Sequence, residues 1–141
     1  MAEATTTAKP AKPLPRPAPE SAPYWEAAKN HRLEIPHCNA CGHYWFPPSR
    51  SCPNCLASDF AWTQVSGNGK VFSFVTFHRV YHPAWEGEVP YVVALIELDE
   101  GPRLLSNIVG IEPDKVRCEM PVKVVFEDVA KDVALPKFTP R

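Results

Sequence analysis

The chain has 141 residues, a formal charge of −1 and a pI near 6.5, so it carries no summed positive field that would draw nucleic acid or anionic lipid to it non-specifically. It is 45% apolar and 22% charged, the balance of an ordinary globular chain, but has 17 prolines against 6 glycines. Its longest apolar runs, such as YVVALI at 91–96, fall far short of the roughly 20 residues that cross a bilayer, which excludes a membrane-spanning helix. The prolines gather first in residues 1–20, where Pro10, Pro13, Pro15, Pro17 and Pro19 favour extended polyproline II; this stretch is expected to be a disordered tail. It lacks the apolar centre of a secretory signal, so the reducing cytoplasm is the expected compartment.

Residues 21–35, SAPYWEAAKNHRLEI, predict a short helix. Ser21 stands as N-cap, Pro23 lies in the first turn, Glu26 is near the N-terminus, and Lys29 and His31 are near the end. Tyr24, Trp25 and Ala28 would form an apolar stripe that a helix of about ten residues cannot bury alone. Either the chain's own body or a partner protein has to cover it.

Residues 36–61 hold Cys38, Cys41, Cys52 and Cys55 in the pattern C-x2-C-x10-C-x2-C. Two residues between cysteines let one tight turn bring both sulfurs to the same metal, and the second pair completes a tetrahedron. Gly42 allows the backbone to leave the first turn with positive φ, and Pro53 stiffens the second. Four thiolates make a closed structural site with no position for an activated water, and zinc is the expected metal. Iron of the rubredoxin type has the same ligand spacing and stays open as an alternative. His37 and His43 flank a ligand set that is already complete, so they are expected at the surface or beside the ligands.

Residues 62–141 change to a period of two. FAWTQV at 60–65 predicts a strand, Ser66–Gly69 a glycine-rich bend, and Lys70 to about His78 a second strand. YVVALIEL at 91–98 places Val92, Ala94, Ile96 and Leu98 on one face, and RLLSNIVG returns after a DEGP turn. A short connection through EPDKVRCEMP leads to VKVVFEDV and ALPKFTP as the last strands. The fold class is therefore mainly β: an N-terminal helix and zinc ribbon followed by a small antiparallel barrel of about five strands, the count of an OB-fold.

Candidate catalytic groups are His78, His82, Cys118, Glu86, Glu88, Asp99 and Glu100. No motif pairs a nucleophile with a base, so no catalytic residue is assigned. The segment 78–91 is long and aromatic, the profile of a functional loop. A nucleic-acid-binding ribbon and barrel is the alternative reading, with aromatics stacking bases. Against it, residues 62–141 carry nine Lys plus Arg and eleven Asp plus Glu, a net of −2, and between the outer cysteines stands only Arg50.

The order of these motifs, from PYWEAAKNHRLEIPHCNACGHYWFPPSRSCPNC through SGNGKVFSFVTFHR, HPAW and VPYVVALIELDEGPRLLSNIVG to MPVKVVFED, closely resembles the family first labelled domain of unknown function 35. The resemblance runs from about Pro23 to Pro140. It implies a helix, a rubredoxin-like zinc ribbon held by Cys38, Cys41, Cys52 and Cys55, and an OB-fold. It further implies a non-catalytic subunit of a hetero-oligomer, whose thiolase-like partner performs acyl-CoA cleavage, carbon–carbon bond formation or acyl transfer. CoA or acyl-CoA would then be shared with the partner. On this reading Tyr24, Trp25, Tyr44, Trp45, Phe46, Tyr81, His82 and Trp85 are expected at the partner interface, and Arg32, Arg50, Lys70 and Arg79 near CoA phosphates. Neither nucleic acid nor membrane is an expected partner.

Overall fold

The computed structural model describes residues 10–141; residues 1–9 of the expected tail lie outside the described residues. From Pro10 the arm runs along the barrel, where Lys12 Nζ meets Glu88 Oε1 at 2.6 Å and lies 5.3 Å from the Trp85 ring centre. At its far end Glu20 pairs with Arg50 at 2.7 Å.

Helix α1 spans Ala22–Lys29, with Pro23 in the first turn where its missing N–H leaves no bond unmade. Ser21 occupies the N-cap position without capping the helix. Its hydroxyl turns backwards instead, accepting from the Ala18 N–H at 3.1 Å and donating to the Ala18 carbonyl at 3.2 Å. The side-chain amide of Asn30 donates to the Glu26 carbonyl at 2.9 Å, and His31 takes a left-handed φ of 57° that turns the chain out of the helix.

Strand β1 (Glu34–Cys38) pairs antiparallel with β2 (Phe60–Gln64), Pro36 facing Trp62. The expected division between residues 61 and 62 falls inside β2, which belongs to the ribbon's two-stranded sheet rather than to the barrel. Strands β3 (Asn68–Phe77), β4 (Tyr91–Leu98), β5 (Arg103–Ile108), β6 (Pro121–Ala130) and β7 (Val133–Pro140) close into a barrel in the order β3-β4-β5-β7-β6. All neighbours are antiparallel except β5 and β7, which meet in parallel at Ile108 and Phe138. A barrel of five short strands has no room for a channel, and its inward side chains fill it.

Those inward side chains are the ones the alternation predicts. Val92, Ala94, Ile96 and Leu98 are buried together with Val71, Leu104, Ile108, Val122 and Phe138. Full burial of Phe138 alone contributes about 2–3 kcal/mol. Tyr24, Leu33, Ile35 and Val65 join the same cluster, so helix, ribbon and barrel share one core. Tyr24, Ala27 and Ala28 of α1 are buried on the chain's own body, where the helix lies against β7 and β1. Gly69 is demanded by the β3–β4 approach, since a Cβ there would sit 2.4 Å from the Glu97 carbonyl oxygen. Among the described residues no helix is long and apolar enough to cross a membrane.

Candidate metal centre and flanking surfaces

The two cysteine turns are built alike. In the first, the Gly42 N–H donates to the Cys38 carbonyl at 3.0 Å and the Cys38 N–H to the His43 carbonyl at 2.8 Å. In the second, the Leu56 N–H donates to the Cys52 carbonyl at 2.8 Å and the Cys52 N–H to the Ala57 carbonyl at 2.8 Å. The residue after each pair takes a left-handed φ, 78° at Gly42 and 65° at Leu56. Glycine enters that region without strain, whereas leucine does so at a cost.

These turns bring the four sulfurs within 4.8 Å of one another. Cys38 to Cys55 and Cys41 to Cys52 are each 3.6 Å. A tetrahedron of thiolates about 2.3 Å from a central zinc has edges of about 3.8 Å, so the set fits that ion closely. Electrostatics point the same way. The Cys41 thiol is lowered to about 6 by the hydrogen bond from the Asn54 amide and then by the His43 backbone. At Cys55 the Ala57 backbone favours the thiolate, but Cys41, burial, Cys38 and Cys52 together outweigh it and push the thiol up to about 12. Four negative sulfurs this close need a cation among them.

A small apolar cluster braces the centre. Buried Trp45 stands beside Cys38 and Cys52, meets the Phe60 ring edge-on at 5.1 Å and donates from Nε1 to Ser49 Oγ at 3.0 Å. His37 stacks on Tyr44 at 3.9 Å, outside the ligand set. Cys118 is exposed and apart from the four.

The eight aromatic and histidine residues expected at a partner interface divide by environment. Tyr24 and Trp45 are buried, and burial also pushes the Tyr24 phenol upward. Trp25 and Phe46 are half-buried against Tyr24, as is Tyr44 against the core. Tyr81 is exposed and meets Phe77 edge-on at 5.9 Å. His82 begins a single turn at Pro83–Trp85, accepting the Ala84 N–H at Nδ1 at 3.0 Å, and its ring stands perpendicular to Trp85.

The four basic residues do not converge. Lys70 lies near the start of β3, whereas Arg79 stands two residues beyond its end at Phe77. Lys70 is paired with Glu119 at 2.9 Å and Glu97 at 3.6 Å, and Arg50 with Glu20. Arg79 lies over the Tyr81 ring, and Arg32 is exposed in the turn between α1 and β1. An open cleft of about 460 Å³ between the ribbon and the β4–β5 turn is lined by Tyr44, Trp45, Phe46 and Glu100, with neither Lys nor Arg in its walls.

Asn54 and Leu56 are the parts of the site that sequence reasoning missed. The signal was present in the parallel between CNACG and CPNCL, which assigns Leu56 to the left-handed position of Gly42.

Comparison with known proteins completes the picture. Residues 25–61 match the family described as ChsH2, rubredoxin-like zinc ribbon domain, and residues 62–127 match ChsH2, C-terminal OB-fold domain. A DUF35 domain-containing scaffold protein of Methanocaldococcus jannaschii is 38% identical over 67% of this chain and 67% of its own length. The chain belongs to the domain of unknown function 35 family. Two longer or differently named relatives extend the comparison. A probable enoyl-CoA hydratase alpha subunit of Thermomonospora curvata is 43% identical over 96% of this chain, which spans only 42% of that protein. The benzoylsuccinyl-CoA thiolase subunit BbsA of Geobacter metallireducens is 31% identical over 63% of this chain and 58% of that subunit. Among solved structures, a chain of the Ltp2-ChsH2(DUF35) aldolase superposes with a TM-score of 0.82 at 42% identity, covering 89% of this chain and 98% of that one. The zinc-ribbon family match and the convergence of the four cysteines agree that these residues are positioned to bind a metal.

Proposed function

We propose that this domain of unknown function 35 protein is a cytoplasmic, non-catalytic subunit of a thiolase-type acyl-CoA complex. In this reading a thiolase-fold partner carries out thiolytic or aldol carbon–carbon cleavage, or acyl transfer. This chain stabilises the partner and completes its CoA or acyl-CoA site. The observation that carries the reading is the 42% identity to nearly the whole of one chain in the Ltp2-ChsH2(DUF35) aldolase, whose name joins two components. The thiolase subunit among its relatives supports the class of partner.

Cys38, Cys41, Cys52 and Cys55 would hold zinc, which supplies a rigid cross-link and, with four thiolates bound, no position for a reacting water. Dispersed cations and a cleft with neither Lys nor Arg in its walls fit a chain that borders a CoA site rather than building one alone. Arg32 and Arg79, which have no carboxylate partner among the described residues, are the better placed of the four to meet CoA phosphates at such a border. Co-expression with a thiolase-fold protein followed by size-exclusion chromatography and metal analysis tests the reading. A co-eluting complex with one zinc per copy of this chain is expected, and separate elution at micromolar concentration would overturn it.

A further inference from the structure

Strand β4 reads YVVALIEL, and only four of its seven apolar residues enter the core. Val92, Ala94, Ile96 and Leu98 point inward; Tyr91, Val93 and Leu95 point outward, with Glu97 the one charged residue on that side. An antiparallel strand with one wet face alternates apolar with polar, and a strand apolar on both faces is one covered on both. The outward register extends the pattern across three strands: Val75 faces Val93, and Leu95 faces Leu105. Leu105 is 72% exposed and Val75 55% exposed, and Phe72 continues the stripe at one end.

Charges beside the stripe are already paired. Arg103 lies over the Phe72 ring at 3.6 Å and binds Glu97 at 2.9 Å, while Lys70 binds Glu119. A neutral rim around an exposed apolar centre suits a protein surface of aliphatic side chains and gives no footing to a polyanion. The described part of the chain's own arm is not the cover. It is seated beside Trp85, Glu127, Val129 and Leu135, and residues 1–9, MAEATTTAK, offer one large apolar side chain.

We propose that the outer face of β3–β4–β5 is the surface on which this chain seats its thiolase-fold partner, the partner contributing an uncharged aliphatic patch. This rests on the subunit reading above. A second copy of the chain is the rival occupant, and the two-component aldolase that contains a chain of matching length favours a different protein.

The test measures binding of the metal-loaded full chain to the Ltp2 component of that aldolase and to thiolase-fold proteins of its own genome. Val75→Glu with Leu105→Glu, both at exposed positions, is expected to weaken binding roughly 100-fold or more, with unchanged metal content and thermal midpoint. Leu56→Asn, at an exposed position on the ribbon, is expected to bind as wild type does. Wild-type affinity is expected to change little with salt, because the rim charges are paired within the chain. Equal binding by wild type and the double variant overturns the surface while leaving the subunit reading standing. No wild-type binding to any thiolase-fold protein overturns the subunit reading, and the surface assignment with it. A wild-type homodimer dissolved by the double variant assigns the face to a second copy and overturns the proposal.

Discussion

Replacing Trp45 with alanine probes how the ribbon is held together. Trp45 is only 5% exposed and packs beside Cys38, Cys52 and Phe60, in a cluster separate from the barrel core. Truncating a buried tryptophan costs about 3–5 kcal/mol. The hydrogen bond lost to Ser49 adds little, because that residue is exposed and water replaces the indole. Where ribbon folding and metal binding are one equilibrium, the whole loss appears as weaker metal affinity. At 1.4 kcal/mol per decade, 3–5 kcal/mol corresponds to a dissociation constant raised roughly 150- to 4,000-fold. Competition with a chromophoric chelator under reducing, anaerobic conditions measures it, and far-UV circular dichroism follows the barrel in the same samples. Wild-type metal affinity in Trp45→Ala, combined with lost partner association, would refute the internal role and return Trp45 to the docking surface.

Leu56→Gly relieves a left-handed leucine, a gain of roughly 1–2 kcal/mol, offset by roughly 0.4–1 kcal/mol of extra unfolded-state freedom. The same chelator competition is expected to show metal held a few-fold more tightly. Gly69→Ala drives a Cβ against the Glu97 carbonyl and is expected to lower stability by about 1–3 kcal/mol in urea unfolding. Cys52→Ser is expected to abolish stoichiometric zinc, and Cys118→Ser to leave it unchanged, by metal analysis of the purified variants.

Much of this architecture is legible in the residues. The cysteine spacing picks out the four thiols that the fold gathers, because two residues between cysteines allow few geometries, and the alternation in YVVALIEL identifies the barrel's inward face. β1 escapes because it is five residues long and interrupted by Pro36, and its pairing with β2 is a tertiary fact. The fate of the aromatics escapes for a related reason. Tyr24 and Trp45 look like surface anchors when read locally, yet Trp45 fills the interior of the small ribbon and Tyr24 joins the core shared by helix, ribbon and barrel. The outward valines and leucines of β3–β5 carry a signal that only the strand register makes readable, since it takes Val75, Val93, Leu95 and Leu105 together to form a patch. Ser21 illustrates the limit of a capping rule: the residue is in place, and its hydroxyl has a nearer partner in Ala18.

The measurement that bears most directly on the subunit reading is the acyl-CoA turnover of a thiolase-fold partner as this chain, metal-loaded, is titrated into it. Turnover is expected to rise and saturate at a fixed ratio of the two chains, with none from this chain alone. Turnover by this chain without a partner, or a partner rate indifferent to its addition, would contradict it.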